Sequence, residues 1–245
     1  MEEDHKLTKA ELKQKRKLEK LARSSNPEGG SKAKGIIIAI GSLLFLGFFA
    51  LVIFLIKQNQ NKPVVISSAG YAIGPNNAKV TLVEYGDLQC PACKAYEPFV
   101  QQIRKDYAKN VKLIYKNFPL TSVHPNAMLA ARAAVSAGNQ GKFYPMHDLL
   151  YDKQEEWADL PASQAEEKIM GYAESLKLDM DKFKKDINAS ATIDVIKNTQ
   201  DEGIKVGVNG TPTFFLDNVK LENPQSYQDF QKLIDSELKK NSKLQ

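Results

Sequence analysis

The sequence predicts an α/β domain that carries an inserted helical subdomain and follows one transmembrane helix. Three observations support this. GIIIAIGSLLFLGFFALVIFLI, Gly35 to Ile56, is an uncharged run of 22 residues. VTLVEY, Val80 to Tyr85, reads as a buried strand that feeds through GDLQ into CPAC and a helix-compatible run. Far downstream, TPTFFL and VKLE flank Asp217-Asn218 as a hairpin and precede a capped helix, with about 94 residues of helical pattern between Phe118 and Thr213.

The apolar run comes first. As a helix it rises roughly 33 Å, enough for a hydrocarbon core of roughly 30 Å. It is longer than a secretory core of ~7 to 15 residues and follows a 34-residue leader, so it reads as an uncleaved anchor rather than a cleaved signal. No cysteine follows closely enough to accept a lipid. Residues 1–34 hold ten Lys/Arg against six Asp/Glu, most of the chain's net charge of +5, whereas only Lys57 and Lys62 follow the run closely. That asymmetry predicts a cytoplasmic N-terminus and a single-pass protein whose residues after Ile56 lie outside the cytoplasm. In the leader, Thr8 and Glu11 have capping-box spacing and Leu7 and Leu12 staple spacing, which predicts a short basic helix reaching Arg23. Residues 57–69 read as a tether. Beyond the leader the chain is nearly neutral and has no internal repeat, which argues against a nucleic-acid groove.

The outer domain is expected over residues 70–245. Its elements are the Val80–Tyr85 strand, a helix from Cys93 to about Ala108, a strand VKLIYKNF (Val111–Phe118), helices over about 121–206, the hairpin, and a last helix. Ser226 caps that helix, and Phe230, Leu233, Ile234 and Leu238 share one of its faces. Cys90 and Cys93 are the only cysteines and sit where a strand meets a helix start. There the free N–H groups and the dipole favour an anion, so the Cys90 thiol is expected to ionise easily, with Cys93 the less exposed partner one turn inward. Two residues spaced i and i+3 can close a small, readily reopened disulfide ring.

Other uses of the pair are weaker. Tetrahedral zinc takes four ligands, His5 falls across the membrane, and His124 and His147 are not at zinc spacing. A ring over two intervening residues constrains the unfolded chain little, so a static staple has small benefit. Both histidines are read as structural: His124, before Pro125, caps a loop or lines a groove, and His147 lies among Met146, Leu149 and Leu150. Trp157, Tyr144 and Tyr151 are read as packing between helices.

VEYGDLQCPACKAYEP resembles the active-site segment of DsbA-like thiol-disulfide oxidoreductases, which place a thioredoxin fold behind an anchor or signal. GVNGTPTFFLDN resembles the family's cis-proline loop and strand, and PLTSVHPNA with GKFYPMHDLLY its helical insertion, so the likeness covers about residues 70–240. It implies that Cys90 is the attacked and attacking sulfur and Cys93 its resolving partner. It also implies that Thr211 and Pro212 form a cis pair facing the disulfide, whose exposed backbone pairs with an extended substrate. Glu84, six residues before Cys90, matches the family's buried acid and would move protons for Cys93. One departure is Ala92, where the family's namesake has a histidine; the Cys90 thiolate then depends on backbone N–H groups and the dipole, with Lys94 a turn away.

The expected activity is disulfide formation in unfolded, secreted or surface proteins that carry thiols. A DsbB-like or VKOR-like membrane oxidase, linked to quinone, would reoxidise the pair. The visible chemistry requires no metal and no organic cofactor. A reductase or isomerase would use the same residues in the other direction. A non-catalytic peptide holder would use only the Thr211-Pro212 groove.

Overall fold

The computed structural model describes residues 9–24, 44–52 and 64–243, in two units divided after Asn59. In the first unit, α1 spans Lys9–Ser24 and carries exposed Leu12, Leu18 and Leu21. The second helix, α2, covers residues 44–52, with Leu44, Phe45, Leu46, Phe48, Phe49 and Leu51 exposed. Thr8, Leu7 and most of the 35–56 run lie outside the described residues. Among the described residues no helix is long and apolar enough to cross a membrane.

The second unit is built on a five-stranded sheet of order β1-β3-β2-β4-β5. The strands are β1 (Tyr71–Ile73), β2 (Val80–Gly86), β3 (Val111–Asn117), β4 (Thr213–Leu216) and β5 (Val219–Lys220). Central β2 runs parallel to β3 and antiparallel to β4, and is buried on both faces, which accounts for its lack of polar alternation. Its even positions, Val80 and Leu82, pack with Leu113, Phe214, Val100, Ile103, Phe230 and Ile234, beneath α3 (Pro91–Asp106) and α9 (Tyr227–Ser242). Its odd positions, Val83 and Tyr85, pack on the other face with Ile114, Phe118, Val208 and Phe215. Burying each such side chain contributes about 1.5–3 kcal/mol, so the alternation fixes the register of β2.

The parallel β2–β3 connection runs through α3, whose first turn therefore lies at the carboxyl end of β2. The hairpin turns at Asp217 and Asn218, both with positive φ (45° and 68°), as a two-residue primed turn requires. Ser226 Oγ accepts the Asp229 N–H at 3.2 Å and caps α9. Phe230 and Ile234 are buried on that helix, but Leu233, expected on the same face, is 38% exposed. At about 100° per residue, Phe230 and Ile234 stand about 40° apart around the helix axis while Leu233 lies about 60° to the other side of Phe230, at the margin of the buried face.

Between β3 and β4 lie α4 (Ala127–Gly138), α5 (Phe143–Asp152), a 3-10 turn (Gln154–Glu156), α6 (Ala162–Ser175), α7 (Met180–Ile187) and α8 (Ser190–Lys205). Ala130, Ala133, Ala134 and Ala137 let α4 lie close to Met146, Leu150, Trp157, Ile169, Phe183 and Ile187. Leu88, Cys90 and Cys93 belong to this same apolar cluster. The cysteines thus sit where the sheet unit meets the insertion. Residues 64–69, expected as part of the tether, lie instead against the sheet unit: Val64 N donates to Asn218 O at 2.9 Å, and Val64 and Ile66 pack on the Val83–Phe215 cluster. The edge strand β1 had no sequence signal, being three residues long.

Candidate active site

Strand β2 ends at Gly86, and the turn 87–90 delivers Cys90 to the N-cap of α3. Cys90 has extended geometry (φ −70°, ψ 122°), its N–H donates to Asp87 O at 3.0 Å, and its carbonyl accepts from Lys94 N at 3.1 Å. Pro91 opens the helix where an N–H would have no intrahelical acceptor. Both thiols are free, with Cys90 6% exposed and Cys93 1%. The N–H of Asp87 points at Cys93 Sγ, 3.5 Å away.

The two sulfurs are electrostatically unlike. A hydrogen bond from the Cys93 side chain, supported by the N–H groups of Cys93 and Ala92 against the opposing effect of burial, lowers the Cys90 pKa to about 5. Ala92 thus contributes a main-chain donor where its side chain offers none. Burial, then the hydrogen bond to Cys90 and the charge on that sulfur, push the Cys93 thiol well above its ordinary range. Glu84 sits on β2 on the face that α3 covers, opposite Phe214 in β4 and beside Tyr115 in β3, and is 1% exposed. Burial, reinforced by Glu97 and opposed by Arg104, raises its pKa well above the carboxylate range. Its Oε2 is buried with no hydrogen-bond partner. A carboxyl that holds its proton more tightly than an exposed one therefore lies within electrostatic reach of Cys93.

The loop before β4 closes the site from the other side. The Thr211-Pro212 bond is cis, and Thr211 O lies 3.6 Å from Cys90 Sγ. Asn223 Nδ2 donates to Pro212 O at 2.7 Å and Thr213 Oγ1 to Gly210 O at 2.7 Å, which pin the loop on both sides of the proline. Of the residues singled out in the sequence, Cys90 and Cys93 lie at the start of α3, Glu84 on the central strand that leads to them, and Thr211-Pro212 on the loop that faces Cys90.

Several participants had no sequence signal. Gln154 Nε2 donates to Leu88 O at 2.9 Å and Cys90 O at 3.2 Å. Gln89 Nε2 donates to Ala158 O at 2.6 Å and its Oε1 accepts from Asn126 N at 2.6 Å. Tyr151 OH donates to Asp87 O at 3.2 Å and lies 3.2 Å from Tyr115 OH. Gly86 is required there, because a Cβ would stand 2.6 Å from the Tyr115 ring. Asp87, buried at 1% exposure, accepts from Gln89 N, Leu120 N and His124 Nδ1 at 2.8, 2.9 and 2.7 Å. These bonds fix the turn of the cysteines to the insertion.

Between α3 and α5, Glu97, His147 and Asp148 place ligand-type atoms within 4.8 Å of one another. Arg104 donates at 3.0 Å to Glu97 and to both oxygens of Asp148, so a guanidinium supplies the positive charge of this cluster. His147 packs edge-on to Tyr115 and Tyr151, in keeping with a structural histidine. Trp157 is buried with Nε1 donating to Leu150 O at 2.9 Å. His124 has a second role: it lines a groove of about 440 Å³ beside the first turn of α3, with Pro91, Lys94, Val123, Gln154 and Glu155.

A strand-to-helix cysteine pair opposite a cis-proline loop on a central mixed sheet defines a thioredoxin-fold redox site. A thioredoxin family model matches residues 67–236, more than half of the chain. Over 217 residues the chain is 30% identical to a probable disulfide bond formation protein D of Bacillus cereus, covering 85% of this chain and 97% of that one. The structure of oxidised BdbD from Bacillus subtilis superimposes with a TM-score of 0.63 over 73% of this chain and 97% of that one, at 23% identity, a likeness of fold. The chain belongs to the thioredoxin family, among its DsbA-like thiol-disulfide oxidoreductases. It is also 43% identical over 143 residues to Na(+)/H(+) antiporter NhaA 1 of Salinispora arenicola, spanning 58% of this chain but only 21% of the antiporter's length.

Proposed function

We propose that the chain is a membrane-anchored, extracytoplasmic disulfide donor that oxidises thiols of secreted or surface proteins. The observation that carries the direction is the asymmetry of the pair: a Cys90 thiolate favoured to a pKa of about 5 stabilises the dithiol form, and a stabilised reduced form makes its disulfide a stronger oxidant.

In this reading a substrate thiolate attacks Cys90 Sγ of the disulfide, the S–S bond breaks, and Cys93 leaves as a thiolate. Cys93 takes a proton, for which neutral Glu84 is the buried source. The Thr211 backbone holds the substrate strand alongside the mixed disulfide. A second substrate thiolate then attacks the substrate's own sulfur and expels Cys90 as the thiolate. The substrate has lost two electrons and the enzyme has gained them. A quinone-linked thiol oxidase of the DsbB-like or VKOR-like kind would remove those electrons and restore the disulfide. The uncharged 35–56 run is the proposed anchor, with the basic leader on the cytoplasmic side.

The test is the reduction potential of the full-length protein in detergent micelles, equilibrated in glutathione buffers and read by thiol alkylation and mass. A value near roughly −120 mV, that of the strong oxidants of this fold, supports disulfide donation; one near roughly −270 mV, that of thioredoxin, makes the protein a reductase and overturns the proposed direction. A Cys90→Ala, Cys93→Ala double variant that still supports substrate folding would instead reveal a peptide holder.

A further inference from the structure

We propose that His124 is a positioning residue for the redox pair, acting through Asp87 on Cys93. The proposal rests on the redox reading above and extends it to a residue that the thiol chemistry itself does not require. His124 lies in the turn after β3, held by its own N–H to Leu120 O at 2.9 Å, in the segment PLTSVHPNA.

The chain of contacts is short. His124 Nδ1 meets Asp87 Oδ2 at 2.7 Å, and because Asp87 also accepts from Leu120 N and Gln89 N, the imidazole is the donor in that bond. The main chain of the same Asp87 touches both cysteines: its N–H points at Cys93 Sγ at 3.5 Å, and its carbonyl accepts the Cys90 N–H at 3.0 Å. Displacing the Asp87 carboxylate rotates the peptide units on either side of its Cα. The contact most exposed to that rotation is the N–H to Cys93, because its donor belongs to one of the rotating peptide units and the bond weakens steeply with angle.

The electronic consequence follows from the donor order. Asp87 N–H polarises the Cys93 sulfur, which makes Cys93 S–H a better donor to the Cys90 thiolate. Losing the first bond weakens the second. The reduced form is then less favoured, and the disulfide becomes a weaker oxidant.

The location gives the arrangement a use. The Asp87 side chain is fully buried, whereas that of His124 is 18% exposed and forms a wall of the groove beside Pro91 and Lys94. A substrate segment lying along the first turn of α3 touches His124 and so touches the support of Cys93. Gln154 and Asn126 hold the same loop, but they bond to the carbonyls of Leu88, Cys90, Ala158 and Leu160 and to Gln89, not to the Asp87 carboxylate.

The test compares the full-length wild-type protein with His124→Ala and His124→Asn, whose amide keeps a donor close to the place of Nδ1. Two quantities are measured: the pH midpoint of Cys90 thiolate absorbance, and the equilibrium constant with glutathione. His124→Ala is expected to move the equilibrium about tenfold toward the disulfide and to raise the Cys90 midpoint, with His124→Asn recovering most of both, since one hydrogen bond near a charge carries about that factor. Both variants within twofold of wild type, or His124→Asn indistinguishable from His124→Ala, would overturn the proposal. If His124→Ala fails to fold, His124→Leu, which keeps the bulk without the donor, replaces it under the same criteria. A wild-type pair that does not exchange with glutathione at all would sink the redox reading itself, a result distinct from a silent His124.

Discussion

At the residue scale, the two thiols differ because one stands at the mouth of a helix and the other lies inside it. Cys90 gathers donors at the N-cap, and Cys93, one turn on, has lost its water. Iodoacetamide should therefore label reduced Cys90 with a midpoint near pH 5, against roughly 8.5 for a free thiol, and leave Cys93 unmodified until the fold is opened. Peptide mapping after a pH series reads this directly. The depressed Cys90 pKa also has a thermodynamic sign. The reduced protein gains stability from the thiolate in full above the unfolded thiol's pKa, and that gain disappears as pH falls through about 5. Thermal melts of the reduced form should fall relative to the oxidised form over that window.

Glu84 has the opposite sign. Its folded pKa lies above the unfolded one, so the native state holds a proton that the unfolded chain releases, and stability declines as pH rises from the ordinary carboxylate range toward the raised value. Glu84→Gln cannot ionise and should melt higher than wild type at pH 7, with the difference closing near pH 4. The same variant should reduce more slowly, by roughly a hundredfold or more, if the acid protonates the departing Cys93 thiolate. Stopped-flow fluorescence with a thiol substrate measures the rate, and a higher melting point with an unchanged rate would remove Glu84 from the chemistry.

At the element scale, the helix that closes the insertion is fastened to the sheet by an ion pair whose lysine is fully buried and whose acid is part-exposed. Lys116 of β3 is fully buried and pairs with Glu202 of α8, while Tyr85 OH donates to the same carboxylate at 3.2 Å. Ser67 N donates to Glu202 Oε1 at 2.6 Å, so the first residues of the domain are fastened at the same point. Removing the acid leaves the buried lysine's charge uncompensated. Glu202→Ala should cost about 3 kcal/mol in urea unfolding, more than deleting an exposed pair such as Lys153–Glu156, expected at under about 1 kcal/mol. These contacts were invisible in the sequence, since Lys116 sits in VKLIYKNF like any solvent-facing lysine and its acid is 86 residues away. The elements themselves were legible to within a few residues. Expected Val111–Phe118 is Val111–Asn117, and expected Cys93–Ala108 is Pro91–Asp106. Strand period and cap chemistry are local, whereas β1 and the docking of residues 64–69 owe their form to partners far along the chain.

At the scale of the whole molecule, the insertion forms one wall of the site. Gln154, Tyr151 and Asn126 reach across from it to the turn that carries Cys90, so the redox pair is braced by two bodies of secondary structure. Gln154→Ala leaves the Leu88 and Cys90 carbonyls with one donor fewer and should cost about 1–2 kcal/mol of stability, with a lower thermal midpoint as the readout. The proposed anchor is tested at this scale too: the full chain should stay with membranes through a carbonate wash, and a chain lacking residues 35–56 should be released.

By itself the sequence determined the redox pair, its placement at a strand-to-helix junction, the Asp217-Asn218 hairpin and the cap at Ser226, because each depends on residues within one or two turns of chain. It also marked Glu84, Thr211 and Pro212 through their spacing and likeness to a family. Only the tertiary structure decided that Glu84 is buried without a partner for one oxygen, that Thr211 faces Cys90, and that Asp87 and His124 meet beneath the cysteines. Burial and hydrogen-bond geometry between segments tens of residues apart are set when the chain closes on itself, and no local pattern carries that information.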